Sequence, residues 1–385
     1  MDNLLSIRDL SVEFQMYEGT VRALDNVNLD IGRQETFGLV GETGSGKSMT
    51  ALSILRLVPH PGRIVSGSIL FDPDSLGRPR DLLQLTEQEM RELRGSTISM
   101  VFQEPSAALN PVFSIGDQIA EVILLHRHPE VAERALAGVT ARLEEGHGPV
   151  HAATLPFLMM EKALMREAGH VAGSFTVDMV QRLPLLRRLT GRLKKAAMEM
   201  AVEALRQVEI PDPERVVRAY PHELSGGMKQ RAMIAAALAC SPRFLIADEP
   251  TTALDVTIQA QILDLLRRLR DERQASVLYI THDLAVAAEL CDRIGVMYSG
   301  SICEVASVGD LFANPLHPYT LALMAAVPRP GQRPQAIGGD IPDPLHLPSG
   351  CRFHPRCPRA ETICRQEPPA LRQIQPGHRV ACHLA

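Results

Sequence analysis

The chain has 385 residues, of which 45% are apolar and 4% aromatic, with no tryptophan and a formal net charge of −5. That apolar share builds a substantial core and more than one domain, which excludes a disordered tail. The charge balance offers no overall basic surface to nucleic acid.

The opening residues MDNLLSIRDL lack the basic and continuous apolar regions of a secretory leader, so the expected compartment is the cytoplasm. Residues 4–31 alternate apolar and polar positions around a turn-like YEGT, which predicts antiparallel strands. TFGLV then reads as a short buried strand running into GETGSGKS at 41–48, followed by the apolar helix SMTALSILRLV. Further strands are predicted at Ile98–Gln103, Phe244–Asp248 and Ser276–Ile280, and RIGVMYSGSICEV predicts a hairpin turning at Ser299-Gly300. The pattern is α/β with a largely parallel sheet, whose ligands bind at the carboxyl ends of the strands.

From about 111 to 222 the periodicity is helical, with Ala197, Met200, Ala201, Ala204, Leu205 and Val208 on one stripe. Within it, about 129–192 reads as an insertion without an interpretable motif. The longest unbroken apolar run, Ala232 to Cys240, is nine residues, about half of what a membrane-crossing helix requires. After 310, proline and glycine accumulate in an extended linker that delivers four cysteines, so the expected division is 1–310 and a Cys-rich extension 311–385.

The chemistry lies in short motifs. In GETGSGKS the backbone amides from Gly44 to Lys47 can cradle phosphates, Lys47 can reach the β- and γ-oxygens, and Ser48 can ligate Mg²⁺. FLIADE at 244–249 puts Asp248 at the tip of an apolar strand, where a carboxylate without a partner is costly and Mg²⁺ supplies the partner. Glu249 can then orient or deprotonate the attacking water. Gln103 offers an amide to the metal or the water, and His282 an imidazole near the γ-phosphate. LSGGMKQ at 224–230 opens a second helix with Ser225, Gly226 and Gly227, an entrance suited to an anion, since first-turn N–H groups lack partners and glycine lets a ligand come close.

Taken in this order, the motifs resemble those of ABC transporter nucleotide-binding subunits: Walker A, the Q-loop FQEP, the signature LSGGMKQ, Walker B, the D-loop TTALD and the switch histidine in THD. The resemblance implies a P-loop NTPase fold of the ABC type, a mostly parallel sheet joined by an antiparallel β subdomain and a helical insertion. It implies an ATPase using ATP and Mg²⁺, with nucleotide contacts at Gly41, Gly44, Ser45, Gly46, Lys47, Ser48, Thr50 and Asp255, metal contacts at Ser48, Gln103 and Asp248, and Glu249, His282 and Gln103 in the chemistry. Two cassettes of this family pair head to tail, so Ser225, Gly226 and Gly227 would close over ATP held by a second cassette, here a paralogous one. Tyr17 is either an adenine-stacking aromatic or a strand-packing residue.

The tail narrows the resemblance. Cys351, Cys357, Cys364 and Cys382 follow HPYTLALMAAVP, similar to the C-terminal region of dipeptide and oligopeptide importer ATPases. Four thiols suit a [4Fe–4S] cluster or Zn²⁺, or pack without metal; Cys240, Cys291 and Cys303 are scattered. The implied role is to energise uptake of short peptides at the cytoplasmic face of the inner membrane. The implied partners are two transmembrane permease subunits and an extracytoplasmic substrate-binding protein. Nickel, glutathione or oligosaccharides are alternative cargoes. A soluble ABC ATPase acting on nucleic acid or ribosomes and a redox-sensing scaffold are the rival classes.

Overall fold

A computed structural model describes residues 3–74, 77–145, 184–252, 255–327 and 337–385. They fall into two compact units, one of Met1–Gln103 with Arg243–Ala385 and one of Glu104–Pro242.

The first unit carries the strands. In chain order they are β1 (Asn3–Met16), β2 (Gly19–Gly32), β3 (Thr36–Val40), β4 (Gly62–Phe71), β5 (Arg80–Asp81), β6 (Ile98–Val101), β7 (Phe244–Asp248), β8 (Ser276–Thr281), β9 (Arg293–Tyr298), β10 (Ser301–Ser307), β11 (Arg372–Gln375) and β12 (His378–Val380). One sheet runs β2-β1-β4-β5, and the other β11-β12-β10-β9-β3-β8-β7-β6. The stretch from β9 through β3, β8 and β7 to β6 is parallel, and the remaining pairings are antiparallel. The buried faces meet in one apolar cluster, in which Ile7, Leu29 and Ile69 of the first sheet join Phe37, Ile246 and Leu278 of the second. Strands β3, β7 and β8 are buried throughout, as parallel strands covered on both faces must be. The loops at their carboxyl ends are therefore anchored on rigid supports.

The predicted hairpin turn is present, with Ser299 and Gly300 at φ of 45° and 82°. Both central residues take positive φ, the arrangement whose twist matches that of the flanking strands.

The second unit is helical. Its longer helices are Ile115–His126, His128–Glu145, Pro184–Gln207 and Gly226–Leu238. The predicted stripe from Ala197 to Val208 is buried at all six positions. Gly116 is required where a helix start meets the chain at Val217, because a Cβ there would lie 2.5 Å from the Val217 carbonyl oxygen. Of the expected insertion at about 129–192, residues 146–183 lie outside the described residues.

The tail differs from a bare linker. Residues 337–350 are without regular structure, as the prolines dictate, but β12 pairs with β10, joining Glu304 to Val380 and Val305 to Arg379. Glu304, fully buried, accepts hydrogen bonds from the backbone N–H of Leu316 and His317 at 2.7 and 2.9 Å and pairs with His378 Nε2 at 2.7 Å. Phe353 is 2% exposed, edge-on to Tyr298 at 5.2 Å and 5.3 Å from Tyr319. The last segment thus adds strands and an aromatic cluster to the first unit. Because that cluster is closed, Phe353→Ala is expected to cost about 3–5 kcal/mol, read as a lower denaturant midpoint at unchanged slope.

Candidate functional site

The loop between β3 and the helix Lys47–Ile54 is shaped by glycines. At Gly41 a Cβ would meet the Met297 carbonyl oxygen at 2.2 Å, so no other residue fits. Gly44 and Gly46 have φ of 78° and 106°, the left-handed region that side chains avoid. A Cβ at Gly44 would meet nothing within 4 Å, so the inside of the loop is open. Gly46 starts the helix without any side-chain cap, leaving first-turn N–H groups for an anion. Ser45 is 3% exposed, and its hydroxyl has no partner among the described residues. An orphaned buried hydroxyl in an open amide cradle is what a phosphate oxygen would satisfy.

Lys47 lies beneath the loop, with Nζ donating to the carbonyls of Gly41 at 2.8 Å and Glu42 at 3.0 Å. Burial lowers its pKa, against the opposing pull of Glu249, Asp248 and Glu42. Thr50 is fully buried and donates its hydroxyl to the Gly46 carbonyl at 3.1 Å, so it braces the loop from below and does not face a ligand.

Strand β7 delivers the acids. Asp248, 5% exposed, accepts from Ser48 Oγ at 3.0 Å, an oxygen set that suits a hard cation such as Mg²⁺. Burial raises the Asp248 pKa, the Ser48 hydrogen bond opposes that shift, and Glu249 adds to it. Glu249 follows at φ 46°, a sparsely populated conformation held by its N–H bond to the Ile280 carbonyl at 3.0 Å. Its carboxylate accepts from Gln103 Nε2 at 3.0 Å and Thr252 Oγ1 at 2.9 Å, and His282 Nδ1 stands 3.2 Å from its other oxygen. Residues 103, 249 and 282, far apart in sequence, therefore share one carboxylate. Thr252 carries no signal in the sequence beyond its place in TTALD.

Other predicted residues are placed differently. Tyr17 stands fully exposed on the turn between β1 and β2, so strand packing does not account for it. Asp255 caps the helix Val256–Arg273, accepting from Ile258 N–H at 2.9 Å. Ser225, in the helical unit, caps Gly226–Leu238 through a long 3.4 Å bond from Met228 N–H. It is exposed, and a Cβ at Gly226 would meet nothing within 4 Å, so this helix start is capped yet open.

In the tail, Cys351, Cys357, Cys364 and Cys382 line one cavity of ≈ 10 Å³ with His317, His354 and His383. That is room for about one water-sized sphere. Burial, with the neighbouring thiols, raises the pKa of Cys351 and Cys357. Among the described residues, no group of three or more metal-binding side chains is close enough to hold an ion as arranged. The expected cluster thus has its donors converging but not in bonding positions.

The ABC transporter family model matches residues 24–252. The chain belongs to the ABC transporter family. Residues 303–364 match the oligopeptide/dipeptide transporter C-terminal region. Oligopeptide transport ATP-binding protein AppD of Bacillus subtilis is 39% identical over 388 residues, covering 100% of this chain and 97% of that protein. Oligopeptide transport ATP-binding protein OppD of Escherichia coli is 38% identical, covering 99% and 93%. Among solved structures, the cassette MJ0796 in a post-hydrolysis dimer with ADP and Pi aligns at TM-score 0.53 and 24% identity, over 79% of this chain and 98% of that one; the likeness establishes the fold. ATP and Mg²⁺ are the ligands of an ABC ATPase, and the cradle and the oxygen set fit them. Among the described residues, no helix is long and apolar enough to cross a membrane.

The raised Asp248 pKa has a consequence for stability. The folded carboxyl binds its proton more tightly than the unfolded one, so this group favours the fold at low pH and that contribution is lost as pH rises through the folded value. Asp248→Asn is expected to raise the melting temperature of the nucleotide-free protein at neutral pH by about 2 °C and to remove its Mg²⁺-dependent increase with ATP. Thermal melts across pH check both, with the gap between variant and parent closing in acid.

Proposed function

We propose that this chain is the ATP-hydrolysing subunit of an importer of short peptides, acting as one of a pair of cassettes. The observation that carries the ATPase chemistry is the Glu249 carboxylate, joined by Gln103, His282 and Thr252 beside the Ser48–Asp248 pair. In this reading the amides from Gly44 to Lys47 and the Ser45 hydroxyl bind the phosphates, and Lys47 leaves its loop carbonyls to reach the β- and γ-oxygens. Ser48, Asp248 and Gln103 would hold Mg²⁺, which would neutralise charge on the phosphates. Glu249 accepts a proton from the attacking water or orients it, and His282 steadies Glu249 and the γ-phosphate. Asp255 lies at the pairing face, and Tyr17, exposed as it is, stacks on adenine.

The open helix start at Ser225, Gly226 and Gly227 closes over the nucleotide of the partner cassette, a paralogue of this chain. The exposed Val112 and Phe113 after the Q-loop, at 75% and 54%, support docking to two transmembrane permease subunits at the cytoplasmic face of the inner membrane. Cargo is delivered by an extracytoplasmic binding protein, and no nucleic acid takes part. Peptide as cargo is supported by the C-terminal match and by the names of the relatives. Within the chain, 1–310 serves as the nucleotide-binding domain, with its helical subdomain at about 111–222, and 311–385 as the extension.

The four tail thiols take a soft metal, a [4Fe–4S] cluster first and Zn²⁺ as the alternative. Their convergence on one cavity and their all-sulfur chemistry support this; zinc would require the thiols to close in, and a cluster, larger than the one-water cavity, would require them to spread around it. Analysis of anoxically purified protein is expected to give about four irons and four sulfides per chain; one zinc selects the alternative, and neither metal removes the site.

Glu249→Gln is expected to leave ATP affinity unchanged and to lower turnover by about 10²- to 10⁴-fold. With the partner cassette, that variant should form an ATP-dependent complex on size exclusion, and Ser225→Arg should abolish it. Normal hydrolysis by Glu249→Gln would remove this residue from the chemistry.

A further inference from the structure

Glu42, the second residue of the glycine loop, is an acid in a place built to receive phosphate oxygens. Its backbone carbonyl already accepts from Lys47 Nζ at 3.0 Å, and its carboxylate, 24% exposed, adds negative charge to the same loop. Uncompensated, that charge would repel a polyphosphate held by the same loop.

The compensation comes from the far end of the chain. Arg356 Nη1 and Nη2 donate to the two carboxylate oxygens of Glu42 at 2.8 and 3.1 Å, a bidentate pair between residues 314 apart in sequence. The Arg356 side chain is 3% exposed. Nη1 also donates to Tyr298 Oη at 3.2 Å, Nε to the Gly338 carbonyl at 2.9 Å and Nη2 to the Ile337 carbonyl at 3.4 Å. The group lies over the rings of Tyr298 and Phe353 at 5.7 and 6.0 Å. A planar fork with its donors spent and its faces stacked is fixed in direction, which a lysine could not reproduce. The Glu42 pairing, followed by the Tyr298 hydroxyl, raises the Arg356 pKa, so its charge is permanent. A second tail residue holds the same point, since the Glu42 backbone N–H donates to Tyr319 Oη at 2.9 Å.

The geometry points to Arg356 as a positioning residue of the nucleotide site: by pairing with Glu42 it cancels a negative charge inside the phosphate loop and fixes the loop's first turn for ATP. Arg356 lies between Cys351 and Cys357, so the cysteine-bearing segment is part of the apparatus that receives nucleotide. The inference rests on the proposed reading of the glycine loop as the ATP site, and it makes the tail an electrostatic component of that site.

The test is fluorescent-ATP binding and steady-state hydrolysis by the full chain carrying Arg356→Met, Glu42→Gln or both. Methionine keeps an unbranched stem over Tyr298 and Phe353 while removing the charge. Arg356→Met is expected to weaken ATP binding roughly tenfold, with turnover at saturating ATP little changed and the defect shrinking at high salt. Glu42→Gln alone should bind at least as tightly as the unaltered chain. Adding it to Arg356→Met should restore most of the lost affinity, which a merely structural role for Arg356 would not predict. Unchanged affinity in Arg356→Met, or a double variant as weak as Arg356→Met, overturns the inference. If Arg356→Met does not fold, Glu42→Gln decides: weaker binding than the parent overturns the inference, and binding as tight or tighter upholds it. Failure of the parent chain itself to bind ATP would instead sink the reading of the loop.

Discussion

The structure of the first unit is organised around a crowding of like charge. Asp248 ends β7 and Glu249 follows it, Glu42 sits in the glycine loop, and Lys47 is the lysine whose ammonium feels all three. Burial makes this costly, since a carboxylate stripped of water at the end of an apolar strand is stable only with a partner. Ser48 partners Asp248, and Gln103, Thr252 and His282 partner Glu249. These bonds hold the acids in place without neutralising them. A site so arranged has strong electrostatic reason to take up a divalent cation with its phosphates.

Much of this was legible in the residues, because the features that position the site are local. A run such as FLIADE can only be a buried strand ending in acids, and a loop such as GETGSGKS can only turn so tightly with glycine at 41, 44 and 46. Strands β3, β7 and β8 and the hairpin at Ser299-Gly300 all carry their signal within a few residues. The stripe from Ala197 to Val208 was readable for the same reason, its period being that of one helix.

What escaped reading depends on contacts between distant segments. β11 and β12 are short, and β11 is exposed along its length, so neither shows apolar alternation; only their pairing onto β10 makes them strands. Thr50 matched the nucleotide loop by position, yet the helix turns it inward against Gly46 and Met297. Ser225 combines openness with an ordinary cap on its own helix, two roles that the letters alone do not separate. Glu42 and Arg356 could not be linked from sequence, although an acid in a phosphate loop was itself a sign that a cation had to come from elsewhere.

The join between residues 42 and 356 bears on how the protein is made. The glycine loop emerges from the ribosome 314 residues ahead of its partner Arg356, which follows the helical unit and both flanking halves of the sheet. Chains grow over many seconds, and domains ordinarily fold as they appear. Here the acid of the glycine loop has no guanidinium partner until residue 356 has been added, so a nascent chain that stops short of Arg356 would carry that charge uncompensated beside its phosphate cradle.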